Sequence, residues 1–309
     1  MIKLFYLKDP KDFGSYELLD TGEGEKLERF GKYTFVRPYE DAVWTKTISK
    51  KEWEKADGKF WSSRVGAKAG WKMSKAGFDK KWEMEYKGVK FLASPTPFRH
   101  LGFFPEQASH WDFIEQAIKN SQKTVFGEEA KRPSFGKVKF LNLFGYTGVA
   151  SLFALRAGAE VTHVDASKQT LNWAKENQKL NAELAEAPMR VIEDDVLKFL
   201  EREEKRGNKY DAVIMDPPKF GRGPKGEVWK IEEMLPKLLS QVRKVLSDKP
   251  LFVILTSYAT EASSLSLGYA LDETMKDFKG KTEQGELCVL EKSNNRFISL
   301  ANTAVWSKN

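Results

Sequence analysis

The chain of 309 residues holds one cysteine, Cys288, and only three histidines, His100, His110 and His163, scattered along its length. A lone thiol excludes an internal disulfide and any zinc site built from several cysteines, and so few histidines argue against a metal centre. Long apolar runs are also missing. No stretch reaches the roughly 18–20 residues that a membrane helix requires, so no membrane association is expected. The opening segment Met1–Pro10 is charged too early for a secretory signal, which makes a reducing cytoplasm the expected setting. Charge, by contrast, is plentiful: 31% of residues are charged beside 41% hydrophobic, the composition of a globular chain long enough for two domains.

The net charge of +7 is unevenly spread. Residues 1–100 carry 21 Lys/Arg against 15 Asp/Glu, while the remainder carries 30 against 29. Within 46–81 there are 11 basic and 4 acidic residues, interleaved with Trp53, Phe60, Trp61, Trp71 and Phe78. Cations neutralise phosphates and aromatic faces stack on bases, so this mixture suits RNA. A solvated lysine-rich surface over a small tryptophan core is the alternative.

Two patterns divide the chain. Residues 1–95 read as a small β-rich accessory domain: Tyr16–Gly24 runs into a glycine turn, Lys32–Pro38 alternates and stops at proline, and Trp82–Ala93 forms a hairpin turning at Lys87-Gly88. Residues 96–309 alternate helix and strand. Trp111, Ile114 and Ile118 share a helical face, with Ser109 as candidate cap. Strands are expected at 137–144, 160–164, 189–192, 210–215 and 250–256, with helices at 149–157 and 171–180 and a closing hairpin at 287–291 and 297–306. The alternation predicts an α/β, Rossmann-like sheet, mostly parallel, with its ligand beyond the strands' carboxyl ends.

Four strand ends carry the chemistry. The first is Phe140-Leu-Asn-Leu-Phe-Gly-Tyr-Thr-Gly148, where Gly145 and Gly148 permit a tight turn and close approach of a ligand. It lacks the Gly-x-Gly-x-x-Gly spacing, which disfavours a nicotinamide dinucleotide. S-adenosylmethionine (SAM) needs no pyrophosphate cradle. It needs exposed N–H groups, here around Thr147, and an aromatic rim near its sulfonium, which Phe144 and Tyr146 are placed to supply. The second is Asp165, followed by Ala166 and Ser167 and standing 17 residues after Gly148. Its carboxylate is expected to accept the ribose hydroxyls, with capping of the next helix as the alternative. After the third strand come Asp194, Asp195 and Val196, where an acid, Asp195 ahead of Asp194, would accept from the adenine amino group while a backbone N–H meets the ring. A helix start favoured by its dipole is the alternative there. The fourth and sharpest signal is Asp216-Pro217-Pro218-Lys219-Phe220, a stiffened loop in which Asp216 would hold an amine and Phe220 stack on a base. The basic Gly221–Gly226 segment behind it reads as a loop able to clamp a phosphate backbone.

Assembled, these residues resemble class I SAM-dependent methyltransferases, specifically the bacterial 23S ribosomal RNA group with cytosine-C5 and guanine-N7 enzymes. Residues 140–148 are similar to that group's first motif and 216–220 to its fourth. Gly102-Phe-Phe-Pro-Glu-Gln107 is similar to the segment lying over SAM, with Ala108 where arginine is usual. The resemblance covers about residues 98–306 and implies SAM as cofactor, RNA as partner, and Phe103 and Gln107 in the cofactor pocket. One departure bears on mechanism. Cytosine-C5 transfer uses a cysteine nucleophile, and Leu255-Thr-Ser-Tyr-Ala-Thr260 after the fifth strand contains none. Direct transfer to a base nitrogen is therefore the expected reaction. A methyltransferase for protein or a small molecule, its basic domain serving as a lid or homodimer surface, and a non-catalytic RNA-binding scaffold are the competing readings.

Overall fold

The computed structural model describes residues 2–61, 69–74, 78–126, 137–258 and 262–308. Arg64, Lys68 and Lys75 of the basic segment, and Ala259 and Thr260 after the fifth expected strand, lie outside them. The chain divides into two units: one comprises 1–5, 109–287 and 300–309, the other 6–108 and 288–299. The expected division at 95/96 falls ahead of this one, and the second unit also takes in the tip of the last hairpin.

The first unit is built on an eight-stranded sheet. Its strands, in chain order, are β1 (Lys3–Phe5), β2 (Lys139–Leu143), β3 (Glu160–Asp165), β4 (Met189–Glu193), β5 (Ala212–Met215), β6 (Phe252–Ser257), β7 (Gly280–Leu290) and β8 (Phe297–Lys308). They lie in the order β1-β7-β8-β6-β5-β2-β3-β4. Strands β2 to β6 pair in parallel, and β8 runs antiparallel to β6. The short apolar runs Phe140–Leu143, Ala212–Met215 and Phe252–Leu255 are fully buried because helices cover both faces. Period-2 alternation sorts them. Leu141, Leu143, Val213, Met215, Val253 and Leu255 join the cluster formed with the helices Val196–Lys205, Ile231–Val245 and Ser264–Met275. Phe140 and Phe252 face the other way, where Phe113 of the helix Ala108–Phe126 meets Phe252 with ring centroids 5.3 Å apart. Trp111 stacks on Phe153 of the helix Val149–Arg156 at 5.5 Å. The helix Ala108–Phe126 follows directly on a 3-10 turn, Pro105–Gln107, so Ser109 lies inside it and does not cap it.

The second unit is a five-stranded sheet, Tyr16–Gly22, Glu25–Phe30, Tyr33–Pro38, Gly58–Trp61 and Gly70–Met73, beside the expected hairpin Trp82–Tyr86/Val89–Ala93. That hairpin turns at Lys87 (φ 46°) and Gly88 (φ 81°), the left-handed pair its strand twist favours. Residues 288–299 belong here because Leu18 and Leu19 carbonyls accept from the amides of Lys292 and Ser293, and the Ser293 hydroxyl donates to Asp20 at 2.6 Å. The aromatic residues of the basic segment mostly turn inward: Trp53 and Phe60 are buried, and Trp53 donates its indole N–H to Asp20. Trp61 alone of the five is exposed, at 41%. Among the described residues no helix is long and apolar enough to cross a membrane, and no group of three metal-ligating side chains converges.

Candidate cofactor and substrate site

Strand register brings the sequence signals together. Leu143 pairs with Val164 and with Met215, and Asp165 pairs with Glu193. The carboxyl ends of four adjacent strands therefore lie at one edge, with Phe144, Asp165, Asp194 and Asp216 at or just beyond them. The chain moves from β2 outward to β3 and β4, then returns to the other side of β2 as β5. A crevice at such a reversal is where open α/β sheets bind ligands.

The corner after β2 is held in an unusual backbone. Phe144 (φ 57°), Tyr146 (φ 53°) and Gly148 (φ 81°) are all left-handed. For the two aromatic residues this costs roughly 1–3 kcal/mol each, strain that persists where surroundings impose it. The surroundings are polar and buried. Asn142 Nδ2 donates to Ser151 Oγ at 3.0 Å, Ser151 lies 3.0 Å from His163 Nδ1, and His163 Nε2 lies 3.3 Å from the Tyr146 carbonyl. A carbonyl only accepts, so Nε2 carries the proton and Nδ1 accepts from Ser151. Burial pushes the imidazole pKa down, against the opposing pull of Asp165, and keeps the ring neutral. Asn177, also buried, donates to the Thr147 carbonyl at 2.9 Å. Gly145 needs its missing side chain for a steric reason: a Cβ there would fall on the His163 ring. Gly145→Ala is accordingly expected to leave the protein folded but displace the corner, weakening SAM binding by about tenfold or more, on the scale of 1–3 kcal/mol for overpacking. Titration calorimetry checks it, and unchanged affinity would free Gly145 from this role.

Asp165 accepts from the Tyr146 N–H at 2.8 Å, the Ser167 N–H at 2.9 Å and the Thr170 hydroxyl at 3.0 Å. It thus braces the corner, while Ser167 caps the helix Lys168–Lys179. Ala166 lies half-buried between them. Asp194 donates its amide to the Asp165 carbonyl at 3.1 Å and pairs through its carboxylate with Arg202. Asp195 caps the helix Val196–Lys205 by accepting from the Lys198 N–H at 3.0 Å, and Val196 is buried. Both acids are therefore engaged within the protein. Phe144 turns its ring toward Trp229, centroids 4.9 Å apart, and both Phe144 and Tyr146 are half-buried.

The Asp216 amide reaches the Leu143 carbonyl at 3.5 Å, which ties the loop to the tip of β2. Pro217 is buried, whereas Pro218, Lys219 and Phe220 are exposed, Phe220 at 55%. The Gly221–Gly226 segment, expected as a basic loop able to clamp a phosphate backbone, lies in a hairpin of Phe220–Arg222 against Val228–Lys230. Phe103 and Gln107 belong to the second unit, where the Phe103 ring packs against Phe13, Phe30 and Phe91. Sequence reasoning missed Asn142, His163, Asn177 and Trp229. A polar residue interrupting an apolar strand, as Asn142 and His163 do, was the available signal.

A family model described as conserved hypothetical protein 95 matches residues 117–266. Ribosomal RNA large subunit methyltransferase I of Aeromonas salmonicida is 37% identical over 138 residues, covering 44% of this chain and 30% of the relative. Ribosomal RNA large subunit methyltransferase K of Neisseria meningitidis is 32% identical over 179 residues, covering 57% and 45%. The chain thus spans less than half the length of these relatives. A SAM-dependent methyltransferase structure from Agrobacterium tumefaciens is 40% identical, with a TM-score of 0.88 over 99% of this chain and 94% of that one. Likeness of that extent, on a sheet whose strand ends carry the expected glycine corner and acids, makes this chain a member of the class I SAM-dependent methyltransferase family.

Proposed function

We propose that the protein transfers a methyl group from SAM to a base nitrogen of large-subunit ribosomal RNA. The observation that carries the reading is the alignment of the Phe144–Gly148 corner, Asp165 and Asp216 at the ends of three neighbouring parallel strands. The residues fit the cofactor. The left-handed corner holds the half-exposed Tyr146 ring at the carboxyl edge of the strands, where it can face a sulfonium. Asp165 uses three of a carboxylate's roughly four acceptor positions internally, leaving room for one ribose hydroxyl rather than the pair first expected. Asp195 spends one acceptor position on the Lys198 N–H and keeps others for the adenine amino group, with the Val196 amide beside it for the ring. SAM supplies an electrophilic methyl carbon on a positively charged sulfur.

The chain's own residues do the rest. Asp216 accepts an N–H of the target base and aims the nitrogen lone pair at the methyl group. Asp216 or water would then take the surplus proton of the methylated nitrogen, the C–S bond of SAM being the one given up for the new C–N bond. Phe220 offers its exposed ring to the base, and Lys219, Arg222 and Lys225 join none of the ion pairs among the described residues. Such cations beside an exposed aromatic suit a phosphate backbone. The single thiol, Cys288, is buried in the second unit, which favours direct over covalent transfer. The names of the relatives supply the substrate class.

The test is to incubate the protein with radiolabelled SAM and large-subunit RNA from cells lacking its gene, then digest to nucleosides. Label in a nitrogen-methylated nucleoside is expected. Label in 5-methylcytidine would overturn the direct mechanism, and label in protein alone would overturn the RNA substrate.

A further inference from the structure

Trp229 lies within the hairpin behind the Asp-Pro-Pro loop and is 5% exposed. Its indole meets both halves of the site. The Nε1–H donates to the Pro218 carbonyl at 2.6 Å, and the ring packs on Phe144 with centroids 4.9 Å apart and planes inclined at 59°. Each contact answers a particular need. Pro217 and Pro218 have no N–H, so a carbonyl is the group by which their loop can be fastened from outside. Phe144 holds a left-handed backbone that packing must impose. The fastening is reinforced below, where the Ile231 amide donates to the Lys219 carbonyl at 3.1 Å and Gly221 pairs with Trp229. Gly221 leaves no side chain between the loop and the indole: a Cβ there would stand 3.3 Å from Pro218 Cγ and 3.8 Å from Trp229 Cβ.

We propose that Trp229 is a positioning residue that couples cofactor occupancy at Phe144–Gly148 to the order of the Phe220–Lys230 hairpin on which the substrate rests. The inference depends on the corner being the SAM site, as argued above. A ligand that fixes the corner fixes the Phe144 ring. The ring then restricts the indole, and the indole restricts Pro218 and the hairpin behind it. Ordering of one site thereby lowers the ordering cost at the other, which is a coupling free energy shared reciprocally by both ligands.

The experiment needs no RNA. Hydrogen exchange of the full chain is followed by mass spectrometry with and without saturating S-adenosylhomocysteine, for wild type and Trp229→Phe. Phenylalanine keeps an apolar ring against Phe144 and removes the N–H donor. In wild type the ligand is expected to slow exchange both at 144–148 and at 221–231, the latter by about fivefold or more. In Trp229→Phe protection at 144–148 persists while that at 221–231 is lost, with the thermal midpoint and exchange of β2 unchanged. A purely structural tryptophan would loosen the hairpin equally with and without ligand. Equal ligand-induced protection of the hairpin in both proteins, or none in wild type, overturns the coupling. Absence of any S-adenosylhomocysteine binding, read independently by calorimetry, overturns the cofactor site itself and the coupling with it.

Discussion

Asp216→Asn is expected to lower kcat by about two to three orders of magnitude while leaving SAM affinity nearly unchanged, the scale on which one aligned polar group contributes to a transition state. The substitution preserves size and leaves the main-chain link from residue 216 to the Leu143 carbonyl intact. What changes is the outer face. An amide places a donor where the carboxylate offered only acceptors, so one rotamer opposes the N–H of an incoming amine. The other retains an acceptor without charge and without the capacity to take a proton. Since the reaction is an in-line displacement, a misdirected lone pair is lost in turnover more than in binding. Single-turnover rates with large-subunit RNA, beside calorimetric SAM titration, separate the two quantities. A raised SAM dissociation constant with unchanged turnover would instead put Asp216 on the cofactor's amino group.

Much of that site was legible in the sequence, for a reason specific to parallel sheets. Strands covered on both faces must be largely apolar, so Phe140–Leu143, interrupted by Asn142, and Ala212–Met215 stand out as short runs that end in turns. Gly145, Gly148 and Asp216 occupy those turns, and Asp165 is the last residue of β3. The supporting polar chain was harder to read. Asn142 and His163 lie on the face of β2 and β3 that receives Ser151, and only the three-dimensional register shows that they serve one another. The helix Ile231–Val245, absent from the expected elements, holds Pro236 inside it, a residue that ordinarily ends helices. The hairpin holding Trp229 has strands of three residues, too short for an alternation to register.

The accessory region left two readings open, an RNA-facing aromatic surface and a lysine-rich surface over a tryptophan core. The strand Gly58–Trp61 serves both by alternation, sending Phe60 inward and Trp61 outward. Trp53 turns in to satisfy Asp20, a residue far away in sequence. Composition describes a segment as a whole, whereas burial is decided residue by residue. The docking of residues 288–299 onto this unit depends on pairings across more than 270 positions, such as Ser293 with Asp20, which no local pattern can announce.

Glu28→Gln is expected to destabilise the second unit by about 3–5 kcal/mol, the cost of leaving a buried partner charge uncompensated. Glu28 is fully buried and takes Arg37 Nε and Nη2 at 2.6 Å each, with the Tyr16 hydroxyl at 2.9 Å and Lys26 at 3.4 Å. Burial alone would raise its pKa. The charges of Arg37 and Lys26 and the hydrogen bonds from Arg37 and Tyr16 outweigh burial and hold it at about 2. The sign for pH follows. A carboxyl whose folded value is depressed stabilises above its unfolded value of 4.5, and that contribution is lost as pH falls from there through about 2. Wild-type melting temperature is therefore expected to drop across this window, and the glutamine variant, already weakened, to show a flatter profile. Denaturant unfolding monitored by tryptophan fluorescence at neutral pH gives the magnitude, and a loss below about 1 kcal/mol would mean that water or another acid relieves Arg37. A Glu28→Leu/Arg37→Met double variant should recover only part of the loss, because it removes the stranded Arg37 cation but leaves buried Lys26 and the Tyr16 hydroxyl without Glu28.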